Sequence, residues 1–197
     1  MDTEDIRKKY RYDKLYMDIA VRVSQMSHAL RAQVGAVIVK DDRIISMGWN
    51  GMPSGWANEC EDKLFNPNLT VTKPEVLHAE SNAIAKLAKS YESGDGAKMY
   101  CTISPCMDCA KLIYQAGIKE VIYKDEYRNT DGIQFLRECA VYVQQLIDRR
   151  KEPIMDPDEP PSVYNGGKTM NEQYKDCLLY TSPSPRDISG SRMPSSP

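Results

Sequence analysis

The longest apolar run in the chain is VGAVIV, Val34 to Val39, and it is followed by KDD and then RIISMG. That pattern is a strand, a tight turn and a second strand. The run is too short to cross a bilayer as a helix, so no membrane span is expected. It sits in a chain of 197 residues, enough for one ordinary domain with a real core. Hydrophobic residues at 41% and charged residues at 27% give the balance of a globular protein. A net charge of −2 lacks the basic excess that draws nucleic acid.

The elements around this hairpin alternate. Leu15, Ile19, Val23, Met26 and Leu30 recur at helical spacing and predict one apolar helix face. Residues 49–75, with three prolines and four asparagines, predict a long irregular loop. AESNAIAKLAKSYE, Ala79 to Glu92, is rich in helix formers and sets Ala83, Ile84, Leu87 and Tyr91 on one side, with SGDG to end it. KMYCT is a strand, MDCAKLIYQAG a helix closed by Gly117, EVIYK a strand, DGIQFLREC a helix and AVYVQQL a last strand. This order predicts a three-layer α/β/α fold: one mixed sheet of about five strands with helices on both faces.

The N-terminal stretch MDTEDIRKKYRYDK is too charged for a signal peptide. A cytoplasmic setting is expected, and cysteine pairs then read as metal or redox sites rather than disulfides. One such pair stands in SPCMDC, where Cys106 and Cys109 open a helix three positions apart and point to one side of its first turn. His78, one of two histidines, opens the preceding helix in HAE. At a helix start, free backbone N–H groups and the dipole favour negative charge, which suits thiolates. One imidazole and two thiolates make three ligands. A closed structural zinc needs four, so the fourth position is left for water, as in catalytic sites. Glu80, two residues after His78, is close enough to move protons without being a ligand. The spacing H-x-E…P-C-x-x-C is the signature of zinc deaminases. Two other readings of the cysteines stay open: a redox pair, which leaves His78 and Glu80 unused, and a structural zinc completed by Cys101. Cys101, Cys60 and Cys139 are expected as core or loop thiols, His28 as a surface or capping group, and the tyrosines and methionines of the first helix as core.

With these residues placed, the chain resembles the zinc-dependent cytidine deaminase superfamily, and within it the deoxycytidylate (dCMP) deaminases, including those of phages. The resemblance runs from about Leu15 to Leu146 and rests on QVGAVIVKDDRIISMGWNGMPSG, HAESNAI and SPCMDCAKLIYQAGIKEVIY. It implies the cytidine deaminase-like fold over residues 1–151 and one catalytic Zn2+ per subunit on His78, Cys106 and Cys109. It also implies Glu80 as proton shuttle, with hydroxide attacking C4 of cytosine to give dUMP and ammonia. Asn50 matches the residue that meets the sugar. The Ala79 N–H and the Ser104 carbonyl match the groups that read the pyrimidine edge. The resemblance further implies a homo-oligomer, commonly a hexamer, and regulation by dCTP and dTTP through the loop holding Gly48, Trp49 and Gly51. Trp49 stands where such enzymes usually carry tyrosine. No second zinc is expected, because residues 51–77 contain Cys60 and no histidine. A cation should meet the 5′-phosphate, and Lys73, Lys111, Lys124 and Arg128 are the candidates.

Three other functions share parts of the pattern. A tRNA adenosine deaminase would need a basic surface. Deaminases of other small rings use the same metal chemistry. A silent zinc module would have no use for Glu80.

Residues 152–176 carry four prolines and predict an extended segment. CLLYTSPSPRD, Cys177 to Asp187, back-translates to a transposase-type sequencing adapter, so residues 177–197 read as a library artefact rather than a natural Ser/Pro-rich tail. Setting them aside removes two Arg and one Asp from 26 basic and 28 acidic residues and leaves a net charge of −3. The gene re-amplified from its source is expected to depart from this sequence after Asp176. Recovery of codons for CLLYTSPSPRD would refute the artefact.

Overall fold

In the computed structural model, residues 3–63 and 70–147 are described. The expectations for residues 152–176 and 177–197 lie outside them. The elements run α1 (Thr3–Ser24), β1 (Gly35–Lys40), β2 (Arg43–Trp49), β3 (Glu61–Lys63), β4 (Thr70–Thr72), α2 (Ala79–Leu87), β5 (Lys98–Ile103), α3 (Met107–Gln115), β6 (Glu120–Asp125), α4 (Asp131–Glu138) and β7 (Tyr142–Gln145). Five strands form one mixed sheet in the order β2-β1-β5-β6-β7. β1 is antiparallel to both β2 and β5, whereas β5, β6 and β7 are parallel. The β1–β2 hairpin turns on Asp41 and Asp42, both left-handed at φ 50° and 57°, as a two-residue hairpin turn requires. This is the α/β architecture expected from the element order.

Strand alternation divides the core into two layers. Val37, Val39, Tyr100 and Ile122 pack against Tyr16, Met17, Ala20 and Val23 of α1. Ala36, Ile38, Met99, Cys101, Val121 and Tyr123 turn the other way, toward Ala79, Ala83 and Leu87 of α2, Ala110 and Ile113 of α3 and Ile133 and Leu136 of α4. β1 is thus buried on both faces, which is why its sequence is a continuous apolar run instead of an alternation. No described helix is long and apolar enough to cross a membrane.

Three expectations are corrected. The buried stripe of α1 is Asp13, Tyr16, Met17, Ala20, Val23 and Ser24, while Leu15, Met26 and Leu30 are exposed. The cause is the closeness of α1 to the sheet. A Cβ on Gly35 would strike the Ala20 carbonyl oxygen and the Ser24 amide nitrogen, so the contact admits small residues there and turns Leu15 outward. Met26 and Leu30 lie beyond the helix, which ends where the Ser24 hydroxyl donates to the Val21 carbonyl. Secondly, α2 stops at Leu87, and Tyr91 is fully exposed past its end rather than on its apolar side. Finally, the 49–75 segment is not wholly irregular, for β3 and β4 pair antiparallel within it.

Gly48 is where the sheet receives α2. A Cβ there would meet the Ala79 carbonyl oxygen and the Ala83 amide nitrogen. Around it, Ser46 Oγ donates to the Ala83 carbonyl at 2.7 Å, Asn82 Nδ2 to the Trp49 carbonyl at 2.9 Å and Lys86 Nζ to the Met47 carbonyl at 3.1 Å. The Lys86 ammonium also lies 4.1 Å from the centre of the Trp49 ring.

At the other end of the sheet, Glu120 bridges two elements, with Lys9 of α1 and Lys98 of β5 each 2.8 Å from its carboxylate. Tyr100 OH donates to buried Asp13 at 2.8 Å beside them. Burial pulls the Glu120 carboxyl up, but Lys9 and Lys98 outweigh it and hold it below its ordinary value. A carboxyl depressed by folding stabilises the protein above its unfolded value, about 4.3, and loses that contribution as pH falls through the folded value. Acidification from neutral pH to below about 4 should therefore lower the urea midpoint. Glu120→Gln should start lower at pH 7 and fall less steeply, and equal slopes in the two proteins would refute the linkage.

Candidate metal centre and active-site cleft

The two helices that carry the candidate ligands begin at the same end of the sheet. α2 leads toward β5 and α3 leaves it. His78 and Cys106 occupy the cap positions just before these helices, both with extended backbone (ψ 156° and 171°), and Cys109 lies in the first turn of α3. The segment before His78 is pinned by a two-bond bridge: Gly51 N–H donates to the Leu77 carbonyl at 3.1 Å, and Leu77 N–H returns to Gly51 at 2.9 Å. The segment before Cys106 is tied to the chain after β6. Ser104 N–H donates to the Asp125 carbonyl at 2.9 Å, and Ser104 Oγ accepts from Tyr127 N–H at 2.8 Å.

His78 Nδ1 thereby lies 3.4 Å from each of the sulfurs of Cys106 and Cys109. All three donor atoms fall within 4.8 Å of one another. Zn–N bonds near 2.0–2.1 Å and Zn–S bonds near 2.3 Å at a tetrahedral angle place N and S about 3.5 Å apart. The donor set and its spacing therefore fit Zn2+ with three protein ligands. The Cys109 thiol and then His78 hold the Cys106 thiol down to about 4, toward the thiolate a metal needs. Cys109, whose proton Cys106 shares, is pushed up correspondingly. His78 is raised, first by its contact with Cys106 and against its burial. Cys101 is fully buried within β5, its thiol pushed well up by burial, and it is not in the ligand group. It is a core thiol, as is Cys60, and neither supplies a fourth ligand.

Glu80 is 4% exposed. Burial raises its carboxyl above the ordinary carboxylate range, against the pull of its own backbone N–H and of His78. A carboxyl raised in this way is a better proton acceptor than a solvent-exposed one.

A cleft of about 640 Å3 opens over these residues, and His78, Ala79, Glu80 and Cys106 share its lining with Asn50 and Ser104. All six line this one cleft. Asn50 also has a structural duty. Its Oδ1 accepts Val34 N–H at 2.8 Å and its Nδ2 donates to the Ala32 carbonyl at 2.9 Å, fixing the entry to β1. An amide with two lone pairs and two N–H groups keeps one of each for a ligand. Gly48 and Gly51 likewise have the packing and bridging roles given above.

Of the four candidate phosphate cations, Lys73 and Arg128 line the cleft; Lys111 and Lys124 do not. Those two pair with Asp108 and Asp125 instead, at 3.0 and 3.6 Å. His28 is exposed beyond α1. Sequence reasoning missed Arg31, which also lines the cleft. Its place follows from the antiparallel pairing of β1 with β5, which brings residues before β1 beside those after β5. No local signal in the sequence reports that pairing.

A His/Cys/Cys group at two helix starts, on an α/β/α sheet, defines a zinc-binding α/β protein. Residues 10–125 match the family model for the cytidine and deoxycytidylate deaminase zinc-binding region, and the chain belongs to that family. The human deoxycytidylate deaminase is 40% identical over 129 residues, covering 61% of this chain and 68% of that protein. The phage T4 deoxycytidylate deaminase is 37% identical over 165 residues, covering 64% and 86%. Among solved structures, the dCMP deaminase of cyanophage S-TIM5 in complex with dCMP and dUMP is similar, at a TM-score of 0.63 and 46% identity, over 74% of this chain and 98% of that one.

Cys106→Ser should lower bound zinc and thermal stability together, because metal affinity is part of the folding free energy of both helix starts. Full zinc occupancy by elemental analysis with an unchanged melting temperature would exclude Cys106 as a ligand.

Proposed function

We propose that this protein is a zinc-dependent deaminase that converts dCMP to dUMP and ammonia. The observation that carries the reading is the convergence of His78, Cys106 and Cys109, two of which line one cleft with buried Glu80, Asn50 and Ser104. The dCMP- and dUMP-bound relative supplies the substrate class.

The roles follow from what each group can do. Zinc, when bound, supplies a Lewis acid that makes hydroxide available near neutral pH. Glu80 would take two protons in turn from the attacking water, giving the first to the ring nitrogen beside the reacting carbon, where it stays, and the second to the departing amine, so that the water oxygen is left as the carbonyl and ammonia departs. Its burial raises the carboxyl and so favours uptake of the proton. The Ala79 N–H, in the unbonded first turn of α2, donates to the pyrimidine edge. The Ser104 carbonyl accepts from the exocyclic amine, and selects for it because an unmet acceptor there would be costly. Asn50 meets the sugar with its remaining donor and acceptor.

The 5′-phosphate is assigned to Arg31 and Arg128 of the cleft lining. Lys73 lies between Glu59 and Asp62 at 3.8 and 3.7 Å, so its charge is largely answered. Among the described residues, neither Arg31 nor Arg128 has a carboxylate at ion-pair distance, and a planar guanidinium suits phosphate. Regulation by dCTP and dTTP through the loop of Gly48, Trp49 and Gly51, assembly into a hexamer and a cytoplasmic setting complete the reading. They rest on the family resemblance of the sequence.

The test is ammonia release by the zinc-loaded full chain offered dCMP, CMP, deoxycytidine, dCTP, cytosine, guanine and a tRNA anticodon stem. Preferential turnover of dCMP is expected, and preference for another substrate would overturn it. Glu80→Ala should retain zinc and lose kcat by about 10^2 to 10^4. Near-normal turnover in that variant would remove Glu80 from the mechanism.

A further inference from the structure

The β3–β4 pair lines the cleft and takes hold of the loop before β1. Glu61 and Thr72 face each other in its ladder. Glu61 Oε1 accepts from Leu30 N–H at 3.0 Å and from Arg31 N–H at 3.3 Å. Thr72 Oγ1 accepts from the Arg31 guanidinium at 3.1 Å. The hairpin is itself closed at its base by Lys73 N–H donating to the carbonyl of buried Cys60 at 2.9 Å. One cross-strand pair therefore grips Arg31 at both ends, its backbone through Glu61 and its guanidinium through Thr72.

These contacts differ from an ordinary surface ion pair. The carboxylate of Glu61 is directed at two backbone N–H groups, not at the arginine charge. Thr72 offers the guanidinium a neutral acceptor. Arg31 is thus oriented while its positive charge is left unanswered by any carboxylate among the described residues. A long, flexible side chain loses rotamer freedom when it binds an anion, and a cation already held in place loses less. Arg31, Glu61 and Thr72 all line the same cleft as His78 and Glu80.

We propose that Glu61, with Thr72, is a positioning residue for phosphate recognition. It pre-sets Arg31, so that the hairpin fixes the preference for a nucleoside 5′-monophosphate over the bare nucleoside. The proposal rests on the nucleotide reading above. It adds no group to the chemistry at C4, and Glu61 touches neither the metal ligands nor Glu80.

The experiment measures kcat and KM for dCMP, and kcat/KM for deoxycytidine, with the full zinc-loaded chain as wild type, Glu61→Ala, Glu61→Gln and Thr72→Val. Loss of an oriented charged contact is worth roughly tenfold or more, so Glu61→Ala should raise KM for dCMP about tenfold with kcat nearly unchanged. Its kcat/KM on deoxycytidine should stay within about twofold of wild type, because that substrate has no phosphate to lose. Glu61→Gln keeps the accepting oxygen and should restore the wild-type KM. Thr72→Val should show the same split in smaller measure, and serves if Glu61→Ala fails to fold. A parallel fall on dCMP and deoxycytidine, or an unchanged KM for dCMP in both Glu61→Ala and Thr72→Val, overturns the proposal. Wild-type enzyme that turns over deoxycytidine as readily as dCMP overturns the nucleotide reading, and the proposal falls with it.

Discussion

Everything at the working end of this protein depends on one imidazole nitrogen meeting two sulfurs at 3.4 Å. The contact joins the starts of two helices that pack on one face of the sheet, one before and one after β5 in the chain. Neither start is held by its own capping side chain. Each is fixed from outside, α2 by the Gly51–Leu77 bridge and the close seat at Gly48, α3 by the bonds from Ser104 to Asp125 and Tyr127. Because the first-turn N–H groups of both helices point into the same space, the site carries a fixed positive potential there, which suits thiolates and a developing negative charge. The parallel β5–β6 pairing sets the height of Ser104, and the antiparallel β1–β5 pairing brings the loop before β1 level with it. The mixed sheet is what allows residues from three separate stretches of chain to face one cleft.

Charge is distributed along the sheet in two distinct ways. Remote from the ligands, Glu120, Lys9, Lys98 and Asp13 neutralise each other in a network that ties α1 to the strands. Paired charges of this kind fix elements in place and leave nothing over for a ligand. In the cleft the opposite holds for Arg31 and Arg128, neither of which has a carboxylate at ion-pair distance among the described residues, while Lys73 is answered by Glu59 and Asp62.

The sequence announced the centre and the sheet, and it did so for local reasons. His78, Glu80, Cys106 and Cys109 stand at helix starts whose helices and intervening strand are each visible from spacing alone. VGAVIV declares a strand buried on both sides. What stayed hidden depends on contacts between distant segments. The inward stripe of α1 is chosen by the closeness of Ala20 to Gly35, which excludes Leu15 although its spacing is as good as that of Tyr16. β3 and β4 are three residues each and owe their pairing to the loop they grip, so no periodicity could reveal them. Arg31 and Glu61 are exposed and half-buried polar residues in loops and a short strand, indistinguishable by composition from solvated surface. Asn50 was recognised by its motif, yet its bonds to Ala32 and Val34 could not be read from it.

β2 forms one margin of the sheet, and such a margin ordinarily presents a row of open backbone groups to any extended chain that drifts past. Here the outer carbonyls of Met47 and Trp49 are already taken by Lys86 and Asn82 of α2. The helix that carries His78 and Glu80 therefore also closes the end of β2 against strand addition. Loosening α2 would do more than disturb the cleft: it would open a sticky edge, so that loss of the centre and a tendency to aggregate would arrive together.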